Sequence, residues 1–190
     1  MSSLALAPTK TALVIIDLQH GIVSRATKPY PPSQVVDNSR ALAEALRAKG
    51  GTVVYVHVDF ANYRAMVADE PARQPGAPPP PPEASEIVPS AGMQPGDLAI
   101  TKYGWGAFAQ TELEQQLRSR GIETVILTGI ATNMGVESTL RHGTGLGFDF
   151  VTVEDACSTF TSEMHAFAFQ FIFPRLSRVR TTAQILEALA

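Results

Sequence analysis

A single cysteine, Cys157, stands in a chain of 190 residues. One thiol cannot close an internal disulfide, which fits a reducing compartment, and the cytoplasm is the expected location. No uninterrupted apolar run approaches the roughly 18 residues that would span a bilayer. Excess charge of one sign is also lacking. Fifteen Lys and Arg against eighteen Asp and Glu leave a formal net charge of -3, so neither nucleic acid nor an anionic membrane is an expected partner. The first ten residues have neither the basic start nor the apolar core of a secretory leader, and no internal repeat is visible. What is present is an ordinary globular composition, 45% hydrophobic and 17% charged. The length suits one domain, residues 1–190, with a sizeable core.

Apolar, β-rich runs alternate with helical patterns along the chain, the signature of a parallel sheet with crossover helices. Ala12 to Ile16 is nearly all apolar, as a strand buried on both faces would be. Ser33 can cap a helix carrying Val35, Leu42 and Leu46 on one face, which Gly50 and Gly51 end. Val53 to Val58 and Leu98 to Thr101 read as the second and third strands. Ala109, Leu113 and Leu117 form the stripe of the next helix, which stops near Gly121. Thr124 to Leu127 is a fourth strand, followed by a helix with Val136, Leu140 and Gly143 facing inward. Phe148 to Val153 is a fifth strand, a helix runs from about Ser162 to Phe173, and Leu176 to Val179 is a last short strand. The run Thr181-Thr182-Ala183-Gln184 matches a capping box for a closing helix. This order predicts a three-layer α/β/α fold, a doubly wound, mostly parallel six-stranded sheet of Rossmann-like form.

The rhythm breaks between residues 71 and 95, where prolines 71, 75, 78, 79, 80, 81, 82, 89 and 95 crowd together. Such a stretch is expected to form neither helix nor sheet ladder, and so to make a stiff surface excursion. It reads as a solvated loop or as a lid or subunit-contact arm. The PxxP spacing is a weak sign of groove recognition.

Ligands of open parallel sheets bind beyond the carboxyl ends of the strands, near the reversal of strand order. Three residues fall at such ends. Asp17 closes the first strand in Ile15-Ile16-Asp17-Leu18-Gln19, Lys102 closes the third in Ile100-Thr101-Lys102-Tyr103-Gly104-Trp105, and Gly135 follows the fourth. A carboxylate, an ammonium and a helix start can therefore converge. Gly106-Ala107-Phe108 and Thr111 follow the lysine, Glu137-Ser138-Thr139 follow the fourth-strand turn, and Glu154-Asp155-Ala156 follow the fifth strand. Together these motifs resemble the isochorismatase-like cysteine hydrolases, from about Thr11 to Leu189, with the proline-rich stretch as the loosest part.

The resemblance implies the isochorismatase-like hydrolase fold and a site built on Asp17, Lys102 and position 135. It also implies a cysteine nucleophile at 135, where this chain has glycine. Without that thiol the covalent route to amides and esters is closed, although the Gly135 N–H remains at a helix start that favours polarised oxygens. The family pattern further implies a cis peptide at Ile130-Ala131. Gln19, Trp105, Phe108, Ala131, Thr132 and Met134 are the expected substrate-binding residues, although Trp105 reads equally well as core. True isochorismatases also lack the cysteine and cleave a vinyl ether with the aspartate as proton donor, a role open to Asp17 if burial raises its pKa. The Ala131-Thr132-Asn133 run, however, is similar to the amidase branch. Nicotinamidases hold zinc through an Asp-x-His pair, whereas this chain has His57-Val58-Asp59, too few ligands for a dedicated site. No metal or cofactor is therefore expected.

His20 could reach the pocket mouth, His142 and His165 read as ordinary helix residues, and Cys157 as a small buried one. The expected partner is a small-molecule substrate, and the resemblance implies a homo-oligomer. Three readings stay open: a hydrolase using Asp17 and Lys102 without covalent catalysis, a non-catalytic relative that binds a metabolite or holds an oligomer together, and an amidase in which Cys157 swings into the site.

Overall fold

The computed structural model describes residues 4–64, 66–71 and 76–190. Its frame is a six-stranded parallel sheet: β1 (Thr11–Ile16), β2 (Thr52–Val58), β3 (Leu98–Lys102), β4 (Thr124–Ile130), β5 (Asp149–Ser158) and β6 (Arg178–Arg180). The spatial order is β3-β2-β1-β4-β5-β6, so the chain reverses direction across the sheet between β1 and β4. That is the place where a doubly wound sheet opens a crevice.

Side chains of β1 alternate between two cores. Ala12, Val14 and Ile16 face one, together with Leu113, Leu117, Leu140 and Phe173. Leu13 and Ile15 face the other, with Val35, Leu42, Leu46, Ile185 and Leu189. Helices α2 (Pro32–Ala48) and α6 (Thr182–Leu189) thus cover one face of the sheet, and α3 (Leu113–Ser119) and α4 (Glu137–Gly145) cover the other. A strand covered on both faces has no polar side to show, which is why β1 is buried throughout. A short α1 (His20–Val23) follows β1, and α5 (Ser162–Phe167) follows β5.

Local chemistry moves several element ends from the places the sequence suggests. Helix α2 begins at Pro32 with Pro31 as its cap and no side-chain capping bond, so proline at the first turn sets the start in place of Ser33. Ala109 lies outside α3, because Gln110 takes a left-handed φ of 59°. Strand β5 runs on to Ser158, where it pairs a second time with β4 beyond an irregularity between Leu127 and Gly129. The helix expected up to Phe173 leaves α geometry after Phe167, widens over Ala168–Ile172 and tightens over Phe173–Arg175, where Pro174 offers no N–H to continue it. The capping box at Thr181 and Gln184 forms with both bonds.

The described part of the proline-rich stretch contains two short helical turns. Residues 72–75 lie outside those described, but Pro82–Ser85 and Pro89–Ala91 each make a 3-10 turn started by proline. Ala84, Val88 and Ala91 are buried, and Ile87 bridges to Gln19. Proline excludes a long ladder, yet it is suited to opening a helical turn, and the apolar residues between the prolines give the segment an inner side.

Candidate active site

Asp17 is placed by the end of β1. Its N–H still bonds to Val56 O at 2.8 Å, but its backbone turns to φ 56°, a conformation aspartate tolerates better than most residues. The residue is buried, 6% exposed, and its Oδ2 lies 2.8 Å from Lys102 Nζ. Lys102, at the end of β3, is 2% exposed. Its ammonium also donates to Gly104 O at 3.1 Å and to Trp105 O at 3.0 Å. An ammonium has three hydrogens, so these acceptors use all of its donors. Among the described residues, Asp17 Oδ1 is buried and has no hydrogen-bond partner. Burial pushes the Asp17 carboxyl above the ordinary carboxylate range, against the opposing charge and hydrogen bond of Lys102 and the charge of His57.

The third residue completes the cluster by what it lacks. Gly135 lies in the widened turn Thr132–Val136 after β4. A β-carbon on it would stand 3.0 Å from Ile16 Cγ2, 3.2 Å from Asp17 Oδ2 and 3.4 Å from Trp105 O. Asp17, Lys102 and Gly135, spread along the sequence, therefore meet at one point. Thr139 ties the turn to the neighbouring loop: its hydroxyl donates to Gly135 O at 2.7 Å and accepts from Ala107 N at 3.0 Å. The peptide Ile130-Ala131 is cis.

The other residues expected around the pocket divide. Trp105 is half exposed and lines a recess of about 610 Å³ beside the charged pair. Ala131 is buried at the cis bond, and Met134 packs partly buried against the helix α2 side of the core. The Gln19 amide is engaged within the fold: it donates to Val58 O and Ala84 O, both at 3.0 Å, and accepts from Val58 N at 2.8 Å. It locks the proline-rich segment to β2. Phe108 belongs to the core, stacked against Phe148 with ring centroids 5.8 Å apart. The Thr132 hydroxyl is buried against His165 Nδ1 at 2.9 Å.

His57 bonds to Ser85 O through Nδ1 at 2.7 Å and to Thr101 Oγ1 through Nε2 at 2.9 Å. A carbonyl can only accept, so the ring proton sits on Nδ1. Asp59 is occupied by the backbone N–H groups of Ala61 and Asn62 and by the Asn62 amide. Among the described residues no group of three or more His, Cys, Asp or Glu could hold a metal ion. His20 is exposed. Cys157 is fully buried on β5, and burial pushes its thiol far above the ordinary range.

Sequence reading did not find the remaining walls of the recess. Tyr63, Arg64, Tyr103 and Gln110 line it with Trp105. Tyr103 could have been found as the neighbour of Lys102, whereas Tyr63 and Arg64 belong to a loop whose course no periodicity reveals. His165 was likewise hidden: it is buried, with Nε2 unpartnered among the described residues, and burial lowers its pKa to about 4.

The isochorismatase domain matches residues 11–184 of this chain. The uncharacterized isochorismatase family protein YwoC of Bacillus subtilis (strain 168) is 46% identical, with 98% of both chains covered. The uncharacterized family protein YecD of Escherichia coli O157:H7 is 44% identical over 94% of this chain and 96% of its own. The solved structure of an isochorismatase family protein from Burkholderia thailandensis superposes with a TM-score of 0.91 at 42% identity, covering 99% of each chain. A domain match through the whole sheet, and relatives alike from end to end, lead to one conclusion: the chain belongs to the isochorismatase family.

Proposed function

We propose that this protein hydrolyses a small molecule with Asp17 as proton carrier and Lys102 as its charge partner, without a cysteine nucleophile at position 135. The bond that suits this machinery best is a vinyl ether. The observation that carries the reading is the asymmetry of Asp17: Oδ2 is held by Lys102, while Oδ1 is buried with no partner among the described residues. A carboxyl raised by burial, with one oxygen fixed and the other unengaged, is suited to hold a proton and deliver it.

The proton on Oδ1 passes to the terminal carbon of the vinyl ether, and the π electrons form that C–H bond. The oxocarbenium ion left behind faces a carboxylate that Lys102 steadies. Water adds to the cationic carbon and returns a proton to Asp17, and the hemiketal collapses to a ketone and an alcohol. No thiol enters this route. Gly135 contributes space next to Asp17 and a backbone carbonyl tied by Thr139.

A screen of vinyl ethers, primary amides and simple esters tests the bond class. Turnover of vinyl ethers is the expected result. Turnover confined to amides or esters would overturn the acid-catalysed route. A second reading is favoured by the saturation of Lys102, since a mutually satisfied pair can also be structural. This non-catalytic relative would show no turnover on any class, yet would be stabilised by a bound metabolite in proportion to RT ln(1 + [L]/Kd).

Association between copies of the chain belongs to the same proposal. Phe160, Met164, Phe167 and Phe171 leave large apolar side chains exposed around α5, a surface suited to a like partner. Light scattering on the purified protein tests it, and a monomer at all concentrations would contradict it.

A further inference from the structure

The recess beside Asp17 has a composition that points to one class of ligand. It encloses about 610 Å³, a volume typical of small-molecule sites. Its walls include Tyr63, Tyr103 and Trp105, and both Tyr103 (40% exposed) and Trp105 (46% exposed) present their rings to it uncovered. Grouped exposed aromatics of this kind are surfaces for flat, apolar bodies. The recess neighbours the charged pair, because Gly104 and Trp105, which line it, are the residues whose carbonyls accept from Lys102 Nζ. Tyr63 registers the same proximity. Its phenol is pushed up first by burial, against a hydrogen bond from Trp105, and the Asp17 charge adds to the rise.

The charge of the ligand follows by elimination. Lys102 has no donor left for a substrate anion. The cation among the described residues lining the recess is Arg64. Its backbone is fixed, with Arg64 N donating to Tyr103 O at 2.8 Å. Its guanidinium makes no hydrogen bond or ion pair among the described residues. Glu70 also lines the recess and is exposed to solvent, but no ion pair joins it to Arg64 among the described residues. Gln110 stands in the same wall at φ 59°, an uncommon conformation for a residue with a side chain, and presents an amide that can bond an oxygen atom.

We propose that this recess binds a small planar carboxylate. Arg64 takes the carboxylate in a fork of parallel N–H bonds, the flat body lies along Trp105 and the tyrosines, and the far end reaches Asp17. The proposal rests on the hydrolase reading only for which end of the ligand reacts, and its test is read by binding alone.

Trp105 is the sole tryptophan of the chain, so fluorescence excited at the red edge, where tyrosine does not absorb, reports on this wall. Benzoate and sorbate, with benzamide and sorbamide as uncharged counterparts, are titrated against wild type and Arg64→Ala. The expected result is saturable quenching by the two carboxylates, with the amides binding at least about tenfold more weakly, the worth of one charge-assisted pair. Arg64→Ala removes that preference. No saturable response to either carboxylate, equal binding of acids and amides, or a preference that survives in Arg64→Ala each overturns the proposal. Failure of the hydrolase reading would leave these binding results in place, so the two are separable.

Discussion

A β-carbon placed on Gly135 would meet the Oδ2 oxygen of Asp17 at 3.2 Å and the Cγ2 methyl of Ile16 at 3.0 Å. Both distances are shorter than comfortable van der Waals contact. Ile16 is fully buried on a central strand, and Asp17 is held through its peptide N–H and by Lys102, so neither can move away cheaply. Gly135→Ala is therefore expected to destabilise the fold by about 1–2 kcal/mol, even though alanine favours a helical turn, and to reduce turnover by crowding Asp17. Thermal unfolding and a rate measurement on the same preparation check it. A variant with wild-type Tm and rate would show that the pocket has room to give.

Gly129 makes a sharper contrast. Its φ is 123°, and a β-carbon there would fall 2.1 Å from Ile16 O, a backbone atom of the neighbouring strand. Gly129→Ala is expected to cost more than about 4 kcal/mol and to leave little folded protein, as circular dichroism at 25 °C would show. Recovery of a stable Gly129→Ala protein would mean that β1 and β4 can separate at this point.

The Asp17–Lys102 pair should behave as a unit. Lys102→Met strands a buried carboxyl and is expected to destabilise by about 3–5 kcal/mol. Asp17→Asn leaves the ammonium three oxygen acceptors and should cost less. In the double variant the losses should fall well short of additive, and chemical denaturation of all four proteins measures the coupling. Strict additivity would contradict the contact.

The legible part of this protein is what burial writes into sequence. Strand β1 shows itself because a strand covered on both faces must be apolar, and the cap at Thr181 because two side chains must sit three residues apart to reach each other's N–H groups. Asp17 and Lys102 were legible because strand ends of this fold deliver side chains to one crevice. Gln19 and Phe108 pack into the fold in a way the sequence does not show. Proximity to a motif says nothing of which way a side chain turns, and the left-handed backbone at Asp17 swings Gln19 into hydrogen bonds with β2 and Ala84. Arg64 stayed hidden because its loop has no periodicity to read.

His165 gives a pH dependence with a definite sign. Burial lowers its pKa to about 4 in the folded protein, below the unfolded value near 6.5. The unfolded chain therefore takes up the proton first, and stability falls as pH drops from about 6.5 to about 4, by about 3 kcal/mol in all. His165→Gln should flatten this part of the stability profile relative to wild type. Parallel profiles for the two proteins would remove His165 as the cause.

Cys157 is expected to be inert. It is fully buried, and its thiol is pushed far above the ordinary range by burial, so little thiolate exists to react. A thiol-alkylating reagent should label it only after denaturation. Rapid labelling of the folded protein, seen by intact mass, would show that β5 opens at this residue.

The most direct test of a hydrolase that works through Asp17 and not through a thiol is kcat/KM for Asp17→Asn and Cys157→Ser beside wild type, on the vinyl ether turned over fastest, with folding of each verified by circular dichroism. Asp17→Asn is expected to lose at least about a hundredfold, the usual share of a general acid, while Cys157→Ser is expected to stay within about twofold of wild type. Activity that survives in Asp17→Asn, or that disappears with Cys157, would contradict it.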